Sequence, residues 1–175
     1  MFSKIVFFLA IVVAAVLLFA TTRPDTILVE RSIVIHAPPD KIFPLVDDFH
    51  NWPQWAAQDK EDPTMTRTYS GPASGPGAIS GWTSTGSAGQ GEMTITSTKP
   101  DSRVRVRVSF VKPFPFHNTH VISLETVPVG TQITWTSEVQ NVYFMKVMGL
   151  FMNMDNYMGK HFQASLENLK DLAER

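Results

Sequence analysis

Asp155 and His120 are the two side chains of this chain best placed for acid–base chemistry. Asp155 follows Met154 and lies one helical turn from Met158, at the edge of an apolar stripe. A carboxyl group turned into an apolar cavity loses its hydration. Its pKa rises, and it can orient a ligand or exchange a proton. The simpler reading is a rim carboxylate paired with a base such as Lys160 or with a strand hydroxyl. His120 alternates onto the face of Ile122 and Leu124, so it is the polar partner expected inside such a cavity. A core histidine with satisfied hydrogen bonds is again the simpler reading, and neither residue is assigned a catalytic role.

Other chemistries find little support. The histidines (His36, His50, His117, His120 and His161) show no HExxH spacing, so no metal or cofactor is expected. His117 and His120 are three apart on an extended segment and point to opposite faces. There is no GxSxG elbow. Residues 71–91 hold seven of the ten glycines, but without a GxxxxGK[ST] pattern or a following helix they read as bends of a curved sheet. A net charge of −1 and scattered basic residues exclude a nucleic-acid binder. Without cysteine there is no disulfide, thiol nucleophile or thiolate metal site.

What remains is an apolar site. Trp55, Trp82, Phe110 and Trp135, with Trp52, Phe114 and Phe116, are a heavy aromatic load for one small domain. Five of the eight methionines fall between positions 145 and 158, where flexible thioethers could form an adaptable wall. Core filling is the plainer reading of both. The expected ligand-binding set is Trp55, Trp82, Phe110, His120, Trp135, Phe151, Met154, Asp155 and Met158.

The elements that must position these residues are legible from periodicity. Residues 143–174 contain no proline. Phe151, Met154, Met158, Phe162, Leu166, Leu169 and Ala173 recur at steps of three and four, the spacing of one helical face. One helix of roughly 45 Å is expected there, and a sheet must cover its apolar side. Strands are expected at 27–36, 65–70, 78–84, 92–99, 102–112, 118–126 and 131–140. In the first, Val29, Ile33 and Ile35 share a face with Arg31, whose long stem can still reach water. In the fifth, Val104, Val106, Val108 and Phe110 alternate with Arg103, Arg105 and Arg107, so the arginines mark a solvated outer face. A short helix carrying Ile42, Phe43 and Val46 and a second short helix or turn at 47–53 lie between the first two strands. This is an α+β domain over 27–175, with six to seven antiparallel strands and a long C-terminal helix.

Residues 5–20 are an unbroken apolar run of 16 residues behind Lys4. With Thr21 and Thr22 it makes roughly 27 Å of helix, near the thickness of a hydrocarbon core. A signal peptide is the rival reading, but Leu18-Phe19-Ala20 is a poor cleavage site. The expectation is a transmembrane anchor at 1–22, a linker at 23–26 containing Pro24, and a single-pass protein. The positive-inside rule places its N-terminus in the cytoplasm and the domain on the other side.

The order of elements resembles the helix-grip fold of the START-like superfamily, in particular the bacterial polyketide cyclase/dehydrase-like (SRPBCC) group. The residues that carry the resemblance begin with Val29-Glu30-Arg31-Ser32-Ile33-Val34-Ile35 leading into Ala37-Pro38, then Phe43 and Asp47 with Trp52-Pro53-Gln54-Trp55. Tyr69-Ser70-Gly71-Pro72 follows, with Gly75, Gly77 and Trp82, then Val111-Lys112-Pro113-Phe114 and Thr131-Gln132-Ile133-Thr134-Trp135. The final pattern is Met154-Asp155, Gly159-Lys160, Phe162, Leu166 and Leu169-Lys170. The resemblance spans about 28–173. It implies a curved sheet gripping the long helix around an apolar cavity that takes an apolar or amphipathic small molecule or lipid. No catalytic motif of such enzymes matches residue by residue. A cyclase or dehydratase using Asp155 and His120, and an interaction module with a vestigial cavity, stay open as alternatives. So does the oligomeric state.

Overall fold

A computed structural model describes residues 2–86, 88–112 and 115–175, and the side chains of all of these except Phe2, Ser3 and Met154. Phe114 and the side chain of Met154, both singled out above, therefore lie outside the described residues. The N-terminal apolar run forms α1 (Phe2–Thr21), long and apolar enough to cross a membrane and exposed over most of its length, with its C-terminal end against a later helix. The strands are β1 (Thr26–Ile35), β2 (Thr66–Ser70), β3 (Ile79–Thr83), β4 (Gln90–Lys99), β5 (Arg103–Lys112), β6 (Phe116–Val127) and β7 (Gly130–Gln140). They form one antiparallel sheet in the order β1-β7-β6-β5-β4-β3-β2. Every sequential pair from β2 to β7 is a direct neighbour. β1 closes the far edge against β7, from Thr26 opposite Gln140 to Ile35 opposite Thr131.

The faces follow the alternation. Val104, Val106 and Val108 are buried while Arg103, Arg105 and Arg107 face water. Met93, Ile95, Ile122, Leu124, Ile133, Trp135 and Val139 point inward as well. Register shifts interrupt the β4–β5 ladder at Gln90/Gly91 and Ile95/Ser97, the kind of irregularity that bends a strand. Gly91 also lets the Trp82 ring lie against the backbone, since a Cβ there would collide with that ring.

Three short elements close one side. These are α2 (Pro39–Asp47), a 3-10 turn at Trp52–Gln54, and α3 (Ala57–Glu61), a helix the periodicity does not reveal. The indole N–H groups of Trp52 and Trp55 donate to the carbonyls of Val46 (3.1 Å) and Leu45 (2.9 Å), occupying acceptors that the end of α2 leaves open.

The expected single C-terminal helix is two helices, α4 (Tyr143–Met148) and α5 (Met154–Ala173). The break has a local cause. Gly149 ends α4, and the Asn153 side chain accepts the Asn156 N–H at 3.0 Å, which is an N-cap and starts a new helix. The break also changes partners, because α4 packs on α1 while α5 packs on β1 and α3. α5 buries Phe162, Leu166 and Leu169. It is tied down by Ala57 N–H to Ser165 Oγ (2.9 Å), Asn168 Nδ2 to the Trp55 carbonyl (3.1 Å) and Lys170 Nζ to the Val34 carbonyl (3.0 Å).

Phe162 stacks on Trp135 with ring centroids 4.5 Å apart and planes 5° apart, so it is the main contact between α5 and the middle of the sheet. Phe162→Ala leaves a cavity there that neither rigid partner can close. It should lower stability by about 3–5 kcal/mol, measured by denaturant unfolding. A loss below about 1 kcal/mol would mean the stack does not hold α5 in place.

Candidate functional site

The inner face of the sheet divides at Trp135. Toward the β6–β7 turn it is filled. Trp135 meets Trp55 and Trp52 edge-on, at 5.7 and 5.9 Å, and Phe49 packs edge-on to Trp52 at 5.2 Å. Trp55, expected in the cavity wall, is fully buried within this cluster. A second aromatic group lies across the sheet. Phe110 meets Trp82 at 5.1 Å and stacks on Phe116 at 4.2 Å. The Trp82 N–H donates to the Ala88 carbonyl at 3.0 Å.

Between these groups, on the half of the inner face nearer α1, the wall turns polar. His120 lies opposite Ser137 in the β6–β7 ladder, and Asn118 lies opposite Val139. All four are buried. The Trp135 N–H donates to His120 Nδ1 at 2.8 Å, which leaves the imidazole proton on Nε2. Burial holds the His120 pKa down to about 4, so the ring is neutral near pH 7. Asn118 Oδ1 and Ser137 Oγ are buried with no hydrogen-bond partner among the described residues. Ile27, Val29, Met93 and Val108 surround this patch in the ladders, and Met158 of α5 is half-buried against the same core.

Asp155 is not at this patch. Its carboxylate takes both Arg31 guanidinium N–H groups, at 3.0 and 3.2 Å, and its carbonyl takes a third hydrogen bond at 3.1 Å. The rim-carboxylate reading holds, but the partner is Arg31 and not Lys160. Gly159 makes the arrangement possible, since a Cβ there would collide with the Arg31 guanidinium. Asp155 and His120 are thus each hydrogen-bonded to another residue. Phe151, expected in the cavity, is 75% exposed in the link between α4 and α5, because the helix break carries it off the buried face.

Of the expected set, Trp135, His120 and Phe110 belong to or flank the polar patch in the ladders, while Met158 packs against the core from α5. Asn118, Ser137 and Arg31 were missed. Their signal was present: each sits at an inward step of an alternating strand, where a polar residue interrupts an apolar register. Two surface clefts are lined by none of the expected set, although Asn118 of the polar patch also borders the larger one. One of about 240 Å³ lies among Phe49, His50, Tyr69 and Pro72. The other, of about 530 Å³, lies on the outer face among Arg107, His117, Glu138 and Gln140. Among the described residues no group of histidine and carboxylate side chains could hold a metal ion.

A curved seven-stranded antiparallel sheet closed by a C-terminal helix over an inward aromatic core defines a helix-grip protein of the START/Bet v 1-like class. The family model described as polyketide cyclase / dehydrase and lipid transport matches residues 26–174, and the chain belongs to that family. Protein CV1439 from Chromobacterium violaceum is similar, with a TM-score of 0.62 at 17% identity over 87% of this chain and 99% of that one. The Aha1 dimer from Colwellia psychrerythraea gives 0.58 at 20% identity over 85% and 96%. Ara h 8.0201 gives 0.59 at 13% over 85% and 97%. At these identities the likeness is one of fold. No curated protein matches the chain.

The depressed His120 pKa has a measurable consequence. Between about pH 6.5 and pH 4 the unfolded chain binds a proton on this residue that the folded chain refuses. The stability that a neutral His120 carries is therefore complete above about pH 6.5 and is lost as pH falls toward 4. His120→Gln keeps an acceptor for the Trp135 N–H and removes the titration. Urea midpoints across that window should fall less steeply for the variant. An unchanged slope would assign the pH dependence to other groups.

Proposed function

We propose that this chain is a membrane-anchored binding domain that holds an apolar or amphipathic small molecule or lipid between its sheet and α5. The observation that carries the reading is the pair of buried, unpartnered oxygens, Asn118 Oδ1 and Ser137 Oγ, beside neutral His120 on the wall nearer α1. Buried polar atoms without partners are costly and are rarely left so. A ligand that brings a hydroxyl or amide hydrogen to this patch would satisfy them, while Met158, Phe110 and Val108 cover its apolar body. The description of the family as including lipid transport supports the same reading. Met158, adaptable and at the edge of the core, is the side chain that would yield to the ligand.

Met158→Trp tests this directly. The added ring would occupy the ligand's place, so stability should stay nearly unchanged while binding of a fluorescent fatty-acid or polycyclic probe is abolished. A solidly packed interface would instead lose about 1–3 kcal/mol on overpacking. That loss, together with no probe binding by the wild type, would overturn the reading.

The anchor part of the proposal rests on the apolar length of α1 and on Lys4 at its start. It takes the N-terminus as cytoplasmic and the domain as lying on the far side of the membrane. A reporter enzyme fused after Arg175 should be active outside the cytoplasm. Activity inside, or a mature chain beginning near Thr21 and free in solution, would refute it.

A further inference from the structure

α4 is seated on the C-terminal end of α1. The Tyr143 hydroxyl donates to the Leu17 carbonyl at 3.1 Å, and Lys146 Nζ bonds Asp25 Oδ1 at 2.5 Å. Asn141 adds hydrogen bonds to the Pro24 and Asp25 carbonyls across the linker, and Ala20 is completely buried. The Lys146 hydrogen bond holds the Asp25 carboxyl below its ordinary range. Yet α4 and the segment after it expose large apolar groups. Tyr143, Phe144, Met152 and Tyr157 are 43–54% exposed and Phe151 is 75% exposed. Apolar side chains grouped this closely on a surface mark an interaction site.

The length of α1 identifies what covers them. The apolar run with its two threonines measures roughly 27 Å as a helix, against about 30 Å of hydrocarbon core. It has no residues to spare, so a spanning α1 must keep Leu17 inside the bilayer. Leu17 lies four residues before the end of the helix, or about 6 Å along its axis. The residue hydrogen-bonded to its carbonyl must then lie at the same depth, among the headgroups or just beneath them. That residue is a tyrosine, an amphipathic ring suited to the boundary. Lys146 and Arg23, whose guanidinium lies 5.0 Å from the centre of the Phe19 ring, are the cations that such a layer accepts.

We propose that α4 and residues 149–157 lie in the headgroup layer of the bilayer that α1 crosses, with Tyr143, Phe151 and Met152 as a second, peripheral membrane contact. The proposal rests on α1 being an anchor. It places the polar patch of Asn118, His120 and Ser137, on the α1 half of the sheet, nearer to lipid than the tryptophan cluster. A ligand taken from the membrane could then reach the patch without crossing the filled half of the grip.

The absence of cysteine makes the test direct. The full chain carrying Phe151→Cys, labelled with a nitrobenzoxadiazole dye, is reconstituted in phosphatidylcholine vesicles. Val129→Cys is the control, since Val129 is 61% exposed in the β6–β7 turn at the opposite end of the sheet. Both variants should float with the vesicles. The dye at 151 should shift to the blue and be quenched by a nitroxide at the lipid headgroup. The dye at 129 should behave as in water and be quenched by iodide. Flotation with both dyes water-like overturns the peripheral contact and leaves the anchor standing. Failure to float overturns the anchor and the contact together. A blue shift at 151 that disappears on about tenfold dilution of protein in lipid makes a second copy the cover, and overturns the lipid assignment.

Discussion

The stack of Phe162 on Trp135 is the contact on which the rest of the molecule depends. It is where α5 meets the middle of the sheet, and it holds the Trp135 ring flat against Phe162 while Trp52, Trp55 and His120 meet it at steep angles. Because the Trp135 N–H is also committed to His120 Nδ1, the ring cannot rotate without leaving a buried imidazole acceptor unpaired. One side chain thereby sets the height of α5 above the sheet. It also marks the border between a half filled by tryptophans and a half where the wall carries oxygens.

That border divides the inner face into a packed half and a half that carries polar atoms. Toward the β6–β7 turn, Trp52 packs against Phe49 and Trp55, and the two indole N–H groups close on α2 carbonyls. Among the described residues the buried side-chain atom left unpaired there is Asp47 Oδ1, at the end of α2. Toward α1, Asn118 and Ser137 place polar atoms where the strand register demands inward side chains, and no donor reaches them among the described residues. A neutral histidine in that wall brings no charge, so the patch suits uncharged hydrogen-bonding groups better than anions.

Arg31 and Asp155 make the opposite use of charge. Arg31 stands on the inward face of β1, where its guanidinium would be costly to bury alone. It instead crosses the first turn of α5, over Gly159, and takes the Asp155 carboxylate with two N–H groups. Asp155 in turn lies at the positive end of the helix dipole. The arrangement clamps the start of α5 to the edge strand just after the break at 149–153. It therefore limits how far α4 and the linking segment can move relative to the sheet.

Strand positions, their inward and outward faces, the glycine bends and the apolar length of α1 were all legible in the sequence. Each is a local property: a period of two or 3.6, or a composition, reports which side of an element is buried whatever lies opposite. The family was legible for a related reason, since the order of these local patterns is itself distinctive. The break between α4 and α5 was only partly legible, in Gly149 and in Asn153 as a cap, because an unbroken apolar period ran through it. The partners were not legible. Arg31 and Asp155 are 124 residues apart, and periodicity can place each on a face without saying that the faces meet. Trp55 and Phe151 looked alike as apolar residues of buried patterns, yet the fold packs one into the core and leaves the other in the open. Asn118 and Ser137 alternated inward as plainly as their apolar neighbours. Whether a buried oxygen finds a donor depends on which residues of other strands and helices arrive beside it, and only the assembled tertiary structure decides that.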